Sequence, residues 1–313
     1  MSMNSTHPPS ILTQDSMTTE YTFPWNDISE EYIIFLCCVY MGNTFLGLTV
    51  NILVMWAIWP EVRSSLGLPV YAVNLLCAAL LECLSLPFGV AYLLQGLTLD
   101  PMGCKILGIV PIFAQRTATM FTMWIFVVRY VAVSHPLNYR KFCKCWVLGS
   151  VTITLWLTSF TISVLEQILS RDNAILCFPN YRFTPEWSLL HLIISFLFSH
   201  VSLAHLCVLA YLISRSVKNS DSVPTEQYRR IRRLLAFVVF NFGIFFCPMH
   251  IVLQYHNIII LLGKSNLQVQ QKLNFPYQMM FAFNTFSVMV APFFYIISSS
   301  TVKTRLKGLF KDR

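Results

Sequence analysis

Seven apolar runs divide the chain, near residues 32–58, 68–96, 105–133, 147–169, 187–214, 234–262 and 274–297. Each reaches about 20 residues or more, enough for a helix to cross a bilayer's hydrocarbon core. Lipid offers no partner to backbone N–H and C=O groups, so each run has to close its own hydrogen-bond ladder as a helix. The pattern predicts an all-α membrane protein, a seven-transmembrane helix bundle in a surrounding lipid bilayer. The connections are short and no internal repeat is visible, so one domain is expected. Its parts are a polar tail over 1–31, the bundle over 32–298 and a short tail over 299–313. In that tail Val302, Leu306, Leu309 and Phe310 share one helical face and Lys303, Arg305, Lys307 and Lys311 supply charge. An amphipathic eighth helix lying on the membrane fits this better than an eighth crossing.

With 56% hydrophobic and 12% charged residues the chain is far more apolar than soluble proteins, and its net charge of +8 is not spread evenly. Basic residues crowd at Arg63, at Arg140, Lys141 and Lys144, between Arg215 and Arg233, and from Lys303 onward. The tail before the first run has none. The positive-inside rule therefore places the N-terminus outside and the C-terminus inside, which an odd number of crossings satisfies. Charges that flank apolar spans and form no patch argue against nucleic-acid binding. Asn4-Ser5-Thr6 is a glycosylation sequon at Asn4, and the tail lacks the pattern of a cleaved signal. No hydrolytic triad, metal cluster or phosphate-binding loop is visible, so neither catalysis nor a cofactor or metal is expected.

One polar step interrupts the third run near its end. Arg129 follows Phe126, Val127 and Val128 and precedes Tyr130, and His135-Pro136-Leu137 lies just beyond. A guanidinium is costly in hydrocarbon, so Arg129 belongs at the inner edge of the bilayer. This stretch resembles the third-helix end of rhodopsin-like (class A) G-protein-coupled receptors, usually Asp-Arg-Tyr with Pro-Leu downstream. Further matches fall in order in the expected spans. They are Gly47 with Asn51, Asn74-Leu75-Leu76, Leu86-Pro87-Phe88, Trp156, Tyr211, Cys247-Pro248-Met249-His250 and Pro292-Phe293-Phe294-Tyr295. The likeness covers roughly residues 32 to 312 and is nearest in pattern to the branch with nucleotide, carboxylic-acid, lysophospholipid and proton receptors.

The resemblance implies a plasma-membrane receptor that passes a small-molecule signal, anionic or lipid, to a heterotrimeric G protein. It implies that Arg129, Tyr130, Tyr211 and Tyr295 line the G-protein cleft. It also implies a disulfide between Cys104 and Cys177, the two cysteines that this topology places outside. Several family positions are altered. Ala79 replaces the second-helix Asp that usually holds sodium, Ala291 replaces the polar residue before Pro292, and Val128 replaces the acid beside Arg129. Phe246 stands where tryptophan is common and Leu203 where proline is. The usual sodium site therefore looks lost. A receptor-like scaffold or dimerisation partner that does not couple is the alternative these changes raise.

Two ionisable residues stand deep in the apolar runs. Arg116 lies about 20 Å outward of Arg129 and Glu82 about 4.5 Å outward of Ala79. At similar depth the two can pair and fix helix register. Alternatively Arg116, with Gln115 beside it, receives an anionic ligand group in its two-donor fork. The candidate ligand-binding set is Glu82, Gln115, Arg116, His200, His250 and Gln254. His250 follows Pro248 on a face that commonly lines the family's cavity. A histidine in a span is more often a satisfied core residue than a proton sensor.

The missing acid and sodium site predict appreciable ligand-independent signalling with little sodium sensitivity. Val128→Asp should lower the basal signal in a G-protein recruitment assay. A silent wild type, or a stronger signal in the variant, contradicts this.

Overall fold

The computed structural model describes residues 30–64, 67–94, 101–169, 185–218, 225–264 and 267–311. The first four spans are α1 (Glu30–Ser64), α2 (Leu68–Leu93), α3 (Pro101–Ser134) and α5 (Cys145–Leu169), with a short α4 (Pro136–Phe142) between the third and fourth. The fifth span runs α6 (Pro185–Phe196), a π turn (Leu197–Val201) and α7 (Ser202–Lys218). The sixth runs α8 (Thr225–Asn241), a second π turn (Phe242–Phe246) and α9 (Cys247–Leu261). The seventh is α10 (Leu267–Ser298), followed by α11 (Ser300–Lys311). The seven expected spans are therefore present among the described residues, all helical. Six are apolar enough along their length to cross a membrane unaided. The seventh opens on Gln268, Gln270, Gln271, Lys272 and Asn274 and turns apolar only after them.

Several helices run past their apolar stretches, because a helix that has left the bilayer continues wherever its residues favour it. α8 starts at Thr225 and carries Glu226, Arg229, Arg230, Arg232 and Arg233 before its apolar part begins. α4 was not foreseen. It begins at Pro136, where the ring's fixed φ and missing N–H suit a first helical turn.

The spans close into a ring. α2 packs against α1 and α3, α3 against α5 and α7, α7 against α8, and α10 against α1, α2, α8 and α9. The core fills two levels. Ile58, Leu76, Phe121, Phe126, Leu206 and Ile213 belong to the level nearer Arg129. Tyr40, Leu86, Leu93, Met249 and Phe281 belong to the level nearer the start of α1. α11 folds back on α1, and its Val302 is fully buried in the first level, while Lys303, Arg305 and Lys307 stay exposed. Of the apolar face expected for this segment, Val302 is buried and Leu306 half-buried, Leu309 is exposed, and the Phe310 side chain lies outside the described residues.

Prolines explain much of how the ring is held. Pro87 inside α2 and Pro292 inside α10 each lack the N–H that would bond to the carbonyl four residues earlier. Those carbonyls belong to Cys83 and Val288. Thr44 Oγ donates to the Cys83 carbonyl at 3.3 Å, and Asn51 Nδ2 donates to the Val288 carbonyl at 3.2 Å. Both donors come from α1. Between them Gly47 lets α2 come close, since a Cβ there would stand 2.5 Å from Cys83 Sγ. Trp156 Nε1 donates to Asn74 Oδ1 at 2.9 Å and ties α5 to α2 in the same way. In the sixth span the π turn sits directly before Pro248, where a widened turn relieves the ring's clash with the helix.

At the Arg129 end, Gly67 joins α1 to α2 with φ of 128°. A Cβ there would also meet Tyr139 Oη at 2.8 Å and Cys143 Sγ at 3.0 Å. Gly67→Ala should therefore cost about 1–3 kcal/mol through backbone strain and collision. Gly263→Ala, at φ of 65° with open space around it, should cost only the left-handed backbone strain of about 1 kcal/mol, with no collision added. Melting temperatures of the two variants in lipid nanodiscs check this ordering, and an equal loss in both would contradict it.

Candidate functional site

Arg116 projects from α3 toward α5 and the fifth span. Its Nη2 pairs with Glu166 Oε2 of α5, and its Nη1 donates to Ser163 Oγ at 3.2 Å. The guanidinium carbon lies 5.3 Å from the centre of the Phe198 ring. His191 Nδ1 reaches to 3.8 Å from Glu166 Oε1. All four polar residues are buried. The Glu82–Arg116 pair, one of the two alternatives open from the sequence, is not formed in this arrangement, because Arg116 pairs with Glu166. Consecutive residues of a helix point about 100° apart, and on α3 that turn sends Gln115 to the Glu82 side and Arg116 to the Glu166 side. The sequence reading passed over Glu166, which lies near the end of its span. The signal was a polar stripe, since Ser159, Ser163 and Glu166 stand at i, i+4 and i+7 on one face of α5.

Glu82 and Gln115 line a cavity of about 80 Å³ between α2, α3, α8 and α10. Thr119, Thr122, Asn241 and Ser287 contribute polar atoms to its wall, and Phe242 and Phe246 contribute rings. Ala79, where the family's acid would stand, is also part of the wall. Because α2 and α3 run antiparallel, Glu82, Gln115 and Phe246 sit at the end of the cavity away from Arg129. Glu82 Oε1, Gln115 Nε2 and Asn241 Oδ1 are buried with no hydrogen-bond partner.

A second polar chain joins the fifth span to the sixth. Ser195 Oγ lies 3.1 Å from His250 Nδ1 and donates to the His250 carbonyl at 3.3 Å. Gln254 Nε2 donates to Ser199 Oγ at 3.0 Å and lies 3.4 Å from Ser195 Oγ and from His200 Nδ1. His250 is buried and packs against Phe246, the two rings tilted by 44° with centres 4.4 Å apart. His200 turns outward instead. It is exposed and stacks on Phe196 at 5.0 Å, because the π turn aims Ser199 inward and its neighbour out. Ser188, His191, Ser195, Ser199 and Ser202 form one buried stripe down the fifth span.

The residues expected at a G-protein cleft are not all together. Arg129 and Tyr130 are half-buried on α3, Arg129 interacting with Tyr139 and Tyr130 resting edge-on to His135 at 6.0 Å. Ser134 Oγ donates to Ser216 Oγ at 2.8 Å, joining α3 to α7 nearby. Tyr211 is 63% exposed. Leu206, Leu209, Ile213 and Val217 form the buried face of α7, and Tyr211 lies on the opposite one, so this arrangement does not bring it to Arg129. The Tyr295 side chain lies outside the described residues, as do Asn4, Cys177 and the side chain of Cys104.

Comparison with known proteins gives a consistent result. The family described as "7 transmembrane receptor (rhodopsin family)" matches residues 50–295. The protein named G-protein coupled receptor 68 from Bos taurus is 26% identical over 286 residues, covering 86% of this chain and 76% of the relative. Its namesake from Mus musculus is 25% identical over 287 residues, with the same coverage of each. The Homo sapiens namesake is 27% identical over 229 residues, 69% of this chain and 61% of the relative. With most of its length inside the matched region and a ring of seven helices to house it, the chain belongs to the rhodopsin family of seven-transmembrane receptors.

Proposed function

We propose that this receptor sits in the plasma membrane with its N-terminus outside, binds a small ligand within the bundle and signals to a heterotrimeric G protein at the Arg129 end. The observation that carries the reading is Phe246. Its ring lines the Glu82 cavity and also packs on His250, so one residue of the sixth span touches both interior polar sites. It stands at the end of a π turn and two residues before Pro248, the least regular part of that span. A ligand that favours one setting of Phe246 and His250 biases the position of the whole sixth span. Below the bend, α8 carries Arg229, Arg232 and Arg233 toward the G-protein side. The mechanism is a population shift, in which ligand and G protein both bind better to an arrangement with α8 swung away from α3. Arg129 and Tyr130 then meet the G protein, and Tyr211 and Tyr295 join them on rotation of their helices.

The anionic ligand expected at Arg116 would have to displace Glu166, because that guanidinium already has its counter-charge. A neutral or cationic ligand meets no such competition. The scaffold alternative draws on Val128, Ala79 and Ala291, which leave the family's usual switch incomplete.

Recruitment of engineered Gα subunits of each class, in cells and without added ligand, separates the two readings. Wild type should recruit at least one class above a mock control. Arg129→Ala should reduce that recruitment at least several-fold at matched surface level. Normal surface level with no recruitment of any class would overturn the receptor reading in favour of the scaffold.

A further inference from the structure

The interior charges do not balance. Arg116 is matched by Glu166, whereas Glu82 has no basic partner among the described residues, and none of those lining its cavity is Lys or Arg. Glu82 is 2% exposed, and its Oε1 faces the cavity without a hydrogen bond. Asn241 Oδ1 is a second unmatched acceptor on the same cavity. Two orphaned acceptors, one of them on a carboxyl group, call for a donor that carries positive charge. The Phe242 and Phe246 rings, with centres 4.5 Å apart, add the faces that attract a cation. Gln115, whose side chain lies beside that carboxyl group, is placed to hold its remaining lone pairs. At about 80 Å³ the space takes a head group of a few heavy atoms and not a whole ligand.

Resting on the reading of the bundle interior as a ligand site, we propose that the ligand carries an organic cation, an ammonium or similar small group, which seats against Glu82 and Asn241. Three ammonium hydrogens match the two acceptors and leave one to face the rings. The remainder of the ligand extends from the Glu82 end of the cavity toward His250. A ligand carboxylate placed there would face Glu82 and gain nothing from Arg116.

The test uses the full receptor in nanodiscs with three probes: benzylammonium chloride, its neutral analogue benzyl alcohol, and sodium chloride at matched ionic strength. Benzylammonium should raise the melting temperature of wild type. Glu82→Asp should keep part of the shift and Glu82→Gln should lose it. Should Glu82→Gln fail to yield folded protein, Asn241→Leu serves in its place and should weaken the shift. No shift with benzylammonium, an equal shift with benzyl alcohol or sodium chloride, or a shift that survives in Glu82→Gln overturns the proposal. A wild type that recruits G protein yet ignores the amine removes the cation site alone. One that binds the amine but recruits nothing removes the receptor reading alone.

Discussion

A bilayer supplies no hydrogen bonds, so every polar group inside it has to be matched by another part of the protein. The fold follows from how this chain meets that demand. Prolines in α2 and α10 free two carbonyls, and α1 answers both, through Thr44 and Asn51. The first helix is thereby fixed in rotation and height against two neighbours at once. Gly47 lies between the donors, where a Cβ would collide with Cys83 Sγ of α2. Trp156 with Asn74 and Arg116 with Glu166 repeat the principle between other pairs of helices. Apolar packing fills the ring, but lipid is as apolar as leucine, so packing alone would not choose one register.

The same demand exposes what is left over. Single unmatched atoms, such as Asn257 Oδ1 and Asn284 Oδ1, are scattered through the interior, whereas Glu82 Oε1, Gln115 Nε2 and Asn241 Oδ1 come from three different helices and line one space. Groups left unsatisfied in this way cost stability, and such cost is commonly borne where a protein binds something. The cavity borders the irregular part of the sixth span, where a π turn and a proline make the helix easiest to bend. The proposed ligand site and the irregular turn of the sixth span thus share Phe246.

The fold was largely legible in the sequence because its strongest signal is length. Runs of apolar residues locate the spans, and clusters of Lys and Arg set the expected orientation. Less was legible of the site. Arg116 was visible as a charge in a span, but its partner depended on which way each helix turned. The stripe Ser159, Ser163 and Glu166 held that information, and so did the serines of the fifth span. Both are spaced by helical period, and small hydroxyl residues scarcely alter a hydropathy pattern. The outward turn of His200 could not be read, because it depends on a π turn that shifts the face of every residue after it. Tyr211 matched its family position and still lies on the exposed face of α7, so a shared motif did not by itself give the side chain's place in this arrangement.

The account rests most heavily on Arg116 belonging to Glu166 and leaving Glu82 unpaired. A double-mutant cycle measured as melting temperature in nanodiscs tests this directly, with Arg116→Gln, Glu166→Gln and Glu82→Gln alone and in pairs. Breaking a buried pair costs about 3–5 kcal/mol, and removing both partners recovers much of it. Each of Arg116→Gln and Glu166→Gln should therefore destabilise, and their combination should lose less than the sum. Glu82→Gln should stabilise or be neutral and add independently to Arg116→Gln. Coupling between Arg116 and Glu82, with none between Arg116 and Glu166, would contradict the account.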